Sequence, residues 1–93
     1  MIPLPEIRAA AGRLAGTLHR TPVMSARSIG ARAGVELWLK CECFQKTGSF
    51  KPRGALNKVL SLSAADRARG LCTVSAGNPA QAVAWAARHV GAP

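Results

Sequence analysis

The chain has 93 residues, 48% of them apolar, so it forms at most one modest domain and is not a disordered tail. It has three cysteines, no leader pattern and no apolar run near the roughly 20 residues of a membrane span, so we expect a soluble, cytoplasmic protein with free thiols. The net charge of +9 would favour binding of an anionic partner. Because the arginines are scattered and tyrosine is absent, a basic nucleic-acid binder is the least favoured interpretation.

The first half of the chain contains four predicted segments. Apolar residues recur at helical spacing from Pro5 to Leu18, which indicates an amphipathic helix. Pro22 biases Thr21 away from helix, so an extended turn should follow. The next short helix should end at Gly34 in a left-handed conformation. Residues 35–44, VELWLKCECF, alternate apolar and polar side chains, as a strand does.

In the second half, an amphipathic helix, a strand and another helix are predicted. After the first of these helices, Ser63 can cap one more helical turn, and LCTVSA reads as a brief buried strand. The last helix should have Asn78 as its N-cap and Pro79 at its first position, and should close at Gly91. Its predicted buried face comprises Ala80, Val83, Ala84, Ala87 and Val90. This order of elements favours an α/β architecture with parallel strand pairing.

The sequence stops after the last helix, where the next strand of a βαβ unit would come. Two strands alone cannot bury the faces of three helices. We therefore expect residues 1–93 to be the N-terminal part of a longer domain, incomplete and inactive by itself.

Lys51 is an unusual residue for its position, because helix starts carry partial positive charge and disfavour cations. A lysine amine is a nucleophile only when neutral, and its ordinary pKa is about 10.4. The helix start near Pro52 and the neighbouring Arg53 both favour the neutral form. With Phe50 as a flat apolar neighbour, the pattern suits Schiff-base chemistry with a carbonyl cofactor. A solvated lysine at a loop edge is the alternative.

A second candidate site is SAGNPAQ, from Ser75 to Gln81. A strand end that leads into a capped helix presents backbone N–H groups suited to a carboxylate or phosphate. An ordinary capped turn is the alternative, and neither glycine-rich phosphate fingerprint occurs in the chain.

No metal site is predicted. Cys41 and Cys43 share a strand face, but this C-x-C pair lacks a second pair, and His19 and His89 stand at no ligand spacing. We expect buried structural thiols.

Two motifs together resemble a known family. LKCECFQKTGSFKPRGALNK is similar to the lysine motif of the fold-type II, pyridoxal-phosphate-dependent serine/threonine dehydratases and serine racemases, of the tryptophan synthase beta-like superfamily. SAGNPAQ falls where these enzymes have an asparagine loop, and HRTP and LWLKCE fit the segment before the lysine. The resemblance runs from about His19 to Gly91. It implies a three-layer, parallel-sheet α/β fold, of which this chain would be the N-terminal portion.

The resemblance also implies a role for each matched residue. Lys51 would form a Schiff base with the aldehyde of pyridoxal 5'-phosphate and later remove the α-proton of the substrate. Phe50 would pack against the pyridine ring, and Asn78 would hydrogen-bond its phenolic oxygen. The loop that would hold the substrate carboxylate comprises Ser75, Ala76, Gly77 and Asn78.

The implied activity is an ammonia-lyase that eliminates the β-hydroxyl of L-threonine or L-serine and gives a 2-oxo acid and ammonia. Ala76 favours elimination, because the racemases place a serine there as a second base and alanine cannot transfer a proton. KCECFQKTGSFK looks racemase-like, so a serine racemase is one alternative, and a non-catalytic remnant or interaction module is another. β-Replacement, as in cysteine synthases, is the runner-up in the wider fold, but their Asn-Pro pair is missing here. Members are commonly dimers or tetramers, which implies a homo-oligomeric parent.

Two positions depart from the family pattern. Pro79 stands where the family usually has histidine, which removes an imidazole and one backbone donor near the substrate carboxylate. Pro52 replaces an aliphatic residue, a change that the first turn of a helix tolerates. The glycine-rich phosphate loop of the family is absent from these residues.

Overall fold

The computed structural model describes all 93 residues, which form five α-helices, two short strands and two 3-10 turns. In chain order the helices and strands are α1 (Leu4–Leu14), β1 (Val23–Ser25), α2 (Arg27–Ala33), β2 (Trp38–Lys40), α3 (Lys51–Ser61), α4 (Ala64–Ala68) and α5 (Asn78–Val90). The 3-10 turns, Glu42–Phe44 and Lys46–Gly48, connect β2 to α3. None of the helices is long and apolar enough to cross a membrane.

The core lies where α3 packs against α5. Leu56 and Val59 of α3 and Ala86 of α5 form its centre, with 0%, 4% and 0% of their surfaces exposed. Pro52 is also buried, at the second position of α3, where its missing N–H breaks no helical hydrogen bond. The amphipathic helix predicted at the start of the second half of the chain is confirmed, and it begins at Lys51.

Helix α5 differs from its prediction at both its cap and its buried face. Gly77, not Asn78, is the N-cap, because the Gly77 carbonyl accepts hydrogen bonds from the N–H groups of Ala80 and Gln81. The fully buried residues are Ala82 and Ala86, and the predicted Ala84 is exposed. Small apolar residues cover more than half of the circumference of this helix, so hydrophobicity alone could not identify the face that packs against α3. The closure at Gly91, with φ 67°, is confirmed.

The two strands pair antiparallel, with Met24 opposite Leu39. Parallel pairing was predicted for a different pair, residues 35–44 with residues 71–76, and that pair is not formed within these residues because residues 71–76 are not a strand. Strand β1 lies in the segment predicted as an extended turn. Strand β2 is shorter than the predicted strand, because the chain turns into a 3-10 helix at Glu42. Cys43 is exposed and Cys41 half-buried, so the prediction of buried thiols is also wrong.

The segment LCTVSA, residues 71–76, is not a strand here. Val74 is 99% exposed, and the segment's one long-range backbone contact is the hydrogen bond from Leu71 N–H to the Pro93 carbonyl, 3.1 Å long. Strand structure requires a partner with which to exchange hydrogen bonds, and no neighbouring strand lies beside this segment.

Three local predictions agree with the structure or nearly so. Helix α2 ends at Gly34, whose φ of 66° is left-handed, as predicted. Ser63 caps α4 by accepting a hydrogen bond from the Asp66 N–H at 3.0 Å. Helix α1 forms but stops at Leu14, four residues before the predicted Leu18, and buries no residue.

Candidate functional site

Lys51 occupies the first position of α3, directly after Phe50. Its N–H donates to Ser49 Oγ at 3.4 Å, and Ser49 is buried. The preceding turn places Thr47 and Gly48 in the left-handed region, with φ of 61° and 70°. Glycine adopts that conformation without steric cost, so the turn can reverse the chain just ahead of the lysine.

A cavity of about 310 Å³ lies between the first turns of α3 and α5. Its lining comprises Phe50, Lys51, Gly54, Ala55, Pro79, Ala82 and Val83. The volume is at the lower end of the roughly 300–1,000 Å³ usual for small-molecule sites. Lys51 carries the one ionisable side chain of this lining. The arrangement presents a single primary amine beside an otherwise small or apolar surface.

The Lys51 amine is positioned by its neighbour as well as by the helix. Its Nζ lies 4.6 Å from the centroid of the Phe50 ring. Phe50 as a whole is 58% exposed and is not packed into the core, so another flat group can reach its ring.

The second predicted motif lies next to the first. Pro79, in the first turn of α5, lines the cavity together with Lys51. The loop residues before it do not line the cavity: Ala76 and Asn78 are exposed, and Ser75 and Gly77 are half-buried. The Gly77 N–H donates to Ser75 Oγ at 3.1 Å, which shapes the loop from within. The structure thus brings the two motifs together through Pro79 and leaves the loop at the edge of the cavity.

A polar network beside α3 was not predicted. Arg53 donates from Nε to Glu42 Oε2 at 2.7 Å and from Nη2 to Glu42 Oε1 at 2.8 Å, and the Thr21 hydroxyl donates to the same carboxylate. The hydrogen bond from Arg53 holds the pKa of Glu42 at about 2, against an opposing effect of burial and with help from Thr21. Glu42 is therefore ionised at neutral pH.

The role expected of Arg53, to act with its charge on Lys51, differs from the one seen in the structure. The sequence suggested that its charge acts on Lys51, but the charge is compensated by Glu42. The signal that could have revealed the pair is the scarcity of acids: the chain has four, and Glu42 lies in the turn region just before the lysine.

The residues of the cavity fit pyridoxal phosphate in their chemistry. A primary amine matches the cofactor aldehyde, and the apolar lining together with the exposed Phe50 ring suits a planar aromatic ring. No group of three or more His, Cys, Asp or Glu side chains could hold a metal ion.

Comparison with known proteins gives one consistent result. Residues 14–93 match the family model described as pyridoxal-phosphate dependent enzyme. The chain is 49% identical over 88 residues to a serine racemase of Oryza sativa subsp. indica, covering 95% of this chain and 26% of that protein. It is 46% identical over 93 residues to an L-threonine ammonia-lyase of Thermotoga maritima, covering 100% of this chain and 23% of that protein.

The structure resembles that of maize serine racemase with a TM-score of 0.89 and 50% identity, over 97% of this chain and 28% of that one. The chain therefore spans about a quarter of the length of the curated relatives it matches. Its α/β arrangement is the one that fold-type II members have at the corresponding residues. On the strength of this match, the chain belongs to the family of pyridoxal-phosphate dependent enzymes.

Proposed function

We propose that residues 1–93 form the N-terminal, lysine-bearing part of a cytoplasmic, homo-oligomeric ammonia-lyase that acts on L-threonine or L-serine. The complete enzyme is the full-length polypeptide to which these residues would belong. The observation that carries the proposal is the placement of Lys51 in a cavity bounded by the first turns of two packed helices. Exposed apolar side chains, among them Ile7, Met24 and Trp38, are consistent with further protein covering this part.

The cofactor, when bound, supplies an electron sink for the carbanion at the substrate α-carbon. Lys51 would hold the cofactor through its amine and would take up the α-proton of the substrate at Nζ. Phe50 supports one side of the ring. The loop before α5, Ser75 to Asn78, binds the substrate carboxylate and orients the amino acid toward the amine.

Ala76 supports elimination over racemisation. Racemisation needs a second acid or base on the face of the substrate opposite to Lys51, and a methyl side chain transfers no proton. With one base available, loss of the β-hydroxyl is the outcome that we propose.

A serine racemase is the second candidate, because relatives of that name are as similar to this chain as the ammonia-lyases are. The two activities differ in their products. The complete enzyme should be incubated with pyridoxal phosphate and either L-serine or L-threonine, followed by assays for 2-oxo acid, ammonia and the D-amino acid. Pyruvate or 2-oxobutyrate in excess over the D-amino acid supports the lyase. D-Serine in excess supports the racemase, and no turnover of either substrate contradicts both.

A further inference from the structure

The first turn of α3 is connected to the turn after β2 by an ion pair between Arg53 and Glu42. Arg53 follows Lys51 by two residues, and its guanidinium binds both oxygens of Glu42 in a bidentate arrangement. Only 18% of the Glu42 side chain and 36% of the Arg53 side chain are exposed. The other ion pair of the chain, Arg69 with Asp66, is longer at 3.7 Å and its side chains are 82% and 50% exposed. Bidentate, partly buried pairs fix geometry far better than exposed ones.

Further hydrogen bonds hold Glu42 and Arg53 in place. The Thr21 hydroxyl donates to Glu42, and Arg53 Nη2 also donates to the His19 carbonyl at 3.3 Å. Gln45, which is 4% exposed, donates to the same carbonyl at 2.8 Å and accepts from the His19 N–H at 3.0 Å. The chain before β1, the turn after β2 and the first turn of α3 are therefore joined by one network.

Besides the packing of Pro52 and the backbone hydrogen bonds of the helix, the start of α3 has few other restraints. Its N-cap residue, Phe50, provides no side-chain cap, and the first turn contains no acidic residue. The Lys51 N–H has one long hydrogen bond, to Ser49. Pro52 is buried and has no N–H to donate. The polar side-chain contacts that connect this first turn to distant parts of the chain are those of Arg53 with Glu42 and with the His19 carbonyl.

We propose that Glu42, acting through Arg53, is a positioning residue for Lys51, because their bidentate pair fixes the first turn of α3 and with it the approach of the Lys51 amine to the cofactor. Glu42 does not touch the cavity, since it is not among the residues that line it. This inference rests on the function proposed above, in which Lys51 is the cofactor-binding lysine.

The test compares two carboxylates that are each paired with arginine. Glu42→Gln removes the buried charge and keeps the side-chain size, and Asp66→Asn does the same at the exposed pair. The complete enzyme, freed of cofactor, is mixed with pyridoxal phosphate and trapped with borohydride at timed intervals. Peptide mapping then measures the label at Lys51, with the exposed Lys58 as internal reference.

We expect Glu42→Gln to slow labelling of Lys51 by about 10- to 100-fold, since small displacements of a reacting group have effects of that size. Asp66→Asn should stay within about twofold of the unchanged enzyme. Circular dichroism at the trapping temperature establishes that each variant is folded. Equal labelling rates in folded Glu42→Gln and Asp66→Asn would overturn the inference.

Arg53→Lys provides a second variant, which also decides the case if Glu42→Gln does not fold. Lysine keeps the positive charge but cannot form the planar two-point contact, so labelling of Lys51 should fall between the unchanged enzyme and Glu42→Gln. A folded Arg53→Lys enzyme that labels at the unchanged rate contradicts the positioning role. If the unchanged enzyme carries no label at Lys51, the proposed function fails, and this inference fails with it.

Discussion

The Lys51 amine lies 4.6 Å from the centre of the Phe50 ring, so two consecutive residues present an amine and an aromatic face to the same cavity. Such a contact contributes about 0.5–1 kcal/mol at an exposed site. Its larger consequence is geometric, because the ring limits the positions that the amine can adopt. Phe50 and Lys51 thus form one structural unit at the start of α3.

Replacing Lys51 by alanine should abolish the visible absorbance that pyridoxal phosphate acquires when it is bound to a lysine of the complete enzyme. The alanine side chain offers no nucleophile, so no imine can form at this position. Lys58→Ala, a change in the exposed part of the same helix, should leave the spectrum unchanged. An unaltered spectrum in the Lys51→Ala enzyme would show that another lysine binds the cofactor.

Replacing Ala76 by serine should raise the rate of D-serine formation relative to pyruvate formation by the complete enzyme. In the mechanism proposed above, serine would supply at this position a hydroxyl able to exchange a proton, which alanine lacks. Ala84→Ser, on the exposed side of α5, is the matched control and should leave the ratio as it is. If Ala76→Ser and Ala84→Ser give the same product ratio, Ala76 is not the determinant of elimination.

The Glu42–Arg53 pair should stabilise the fold above pH 4.5 and lose this effect in acid. The folded pKa of Glu42 is lowered from 4.5 to about 2, so the ionised form is favoured by folding. The contribution is complete above the unfolded pKa and disappears as pH falls toward 2. We expect Glu42→Gln to reduce the free energy of unfolding of the complete enzyme by roughly 1–3 kcal/mol at pH 7.

Urea titrations of the complete enzyme from pH 7 to pH 3 measure the difference between Glu42→Gln and the unchanged protein. The difference in free energy of unfolding should be constant between pH 6 and 7 and should shrink as the pH falls below 4.5, the ordinary pKa of the Glu42 carboxyl. A difference that stays the same down to pH 3 would contradict the lowered pKa.

Leu56→Ala should destabilise the protein by about 2–5 kcal/mol, because Leu56 is fully buried at the contact between α3 and α5. The matched control is Lys58→Ala, a change at an exposed polar position of the same helix, which should alter the free energy of unfolding by less than about 0.5 kcal/mol. Chemical denaturation of the complete enzyme measures both. Similar values for the two variants would show that the α3–α5 contact is not the core of this region.

Gly30→Ala should also destabilise the protein. An added Cβ at Gly30 would lie 2.6 Å from the Val35 carbonyl oxygen, a backbone atom that cannot move easily, so we expect a cost of about 1–3 kcal/mol. Gly12→Ala, in α1, meets no atom within 4 Å and should instead stabilise by roughly 0.5–1 kcal/mol through helix propensity. In thermal unfolding experiments, the midpoint temperature should fall for Gly30→Ala and rise for Gly12→Ala. A higher midpoint for Gly30→Ala would contradict the close approach of the Val35 carbonyl.

Local sequence determined the features that depend on one or two residues. Glycine at position 34 ended a helix in the left-handed conformation, and Ser63 capped the next short one, because both effects act within a single turn. The helix start at Lys51 followed from the small residues before it and the proline after it. The family resemblance rested on the same short motifs, and the comparisons confirm it.

Only the tertiary structure decided the features that depend on partners distant in sequence. The antiparallel pairing of Val23–Ser25 with Trp38–Lys40, and the absence of a strand at residues 71–76, depend on which backbone groups come within hydrogen-bonding distance. The buried face of α5 was set by contact with Leu56, since small apolar residues cover more than half of the circumference of that helix and leave more than one face possible. Glu42 and Arg53, eleven positions apart, became a pair only when the turn after β2 returned the carboxylate to the first turn of α3. A strand, a packed face and an ion pair each require two chain segments to meet, and that requirement is satisfied by the fold as a whole.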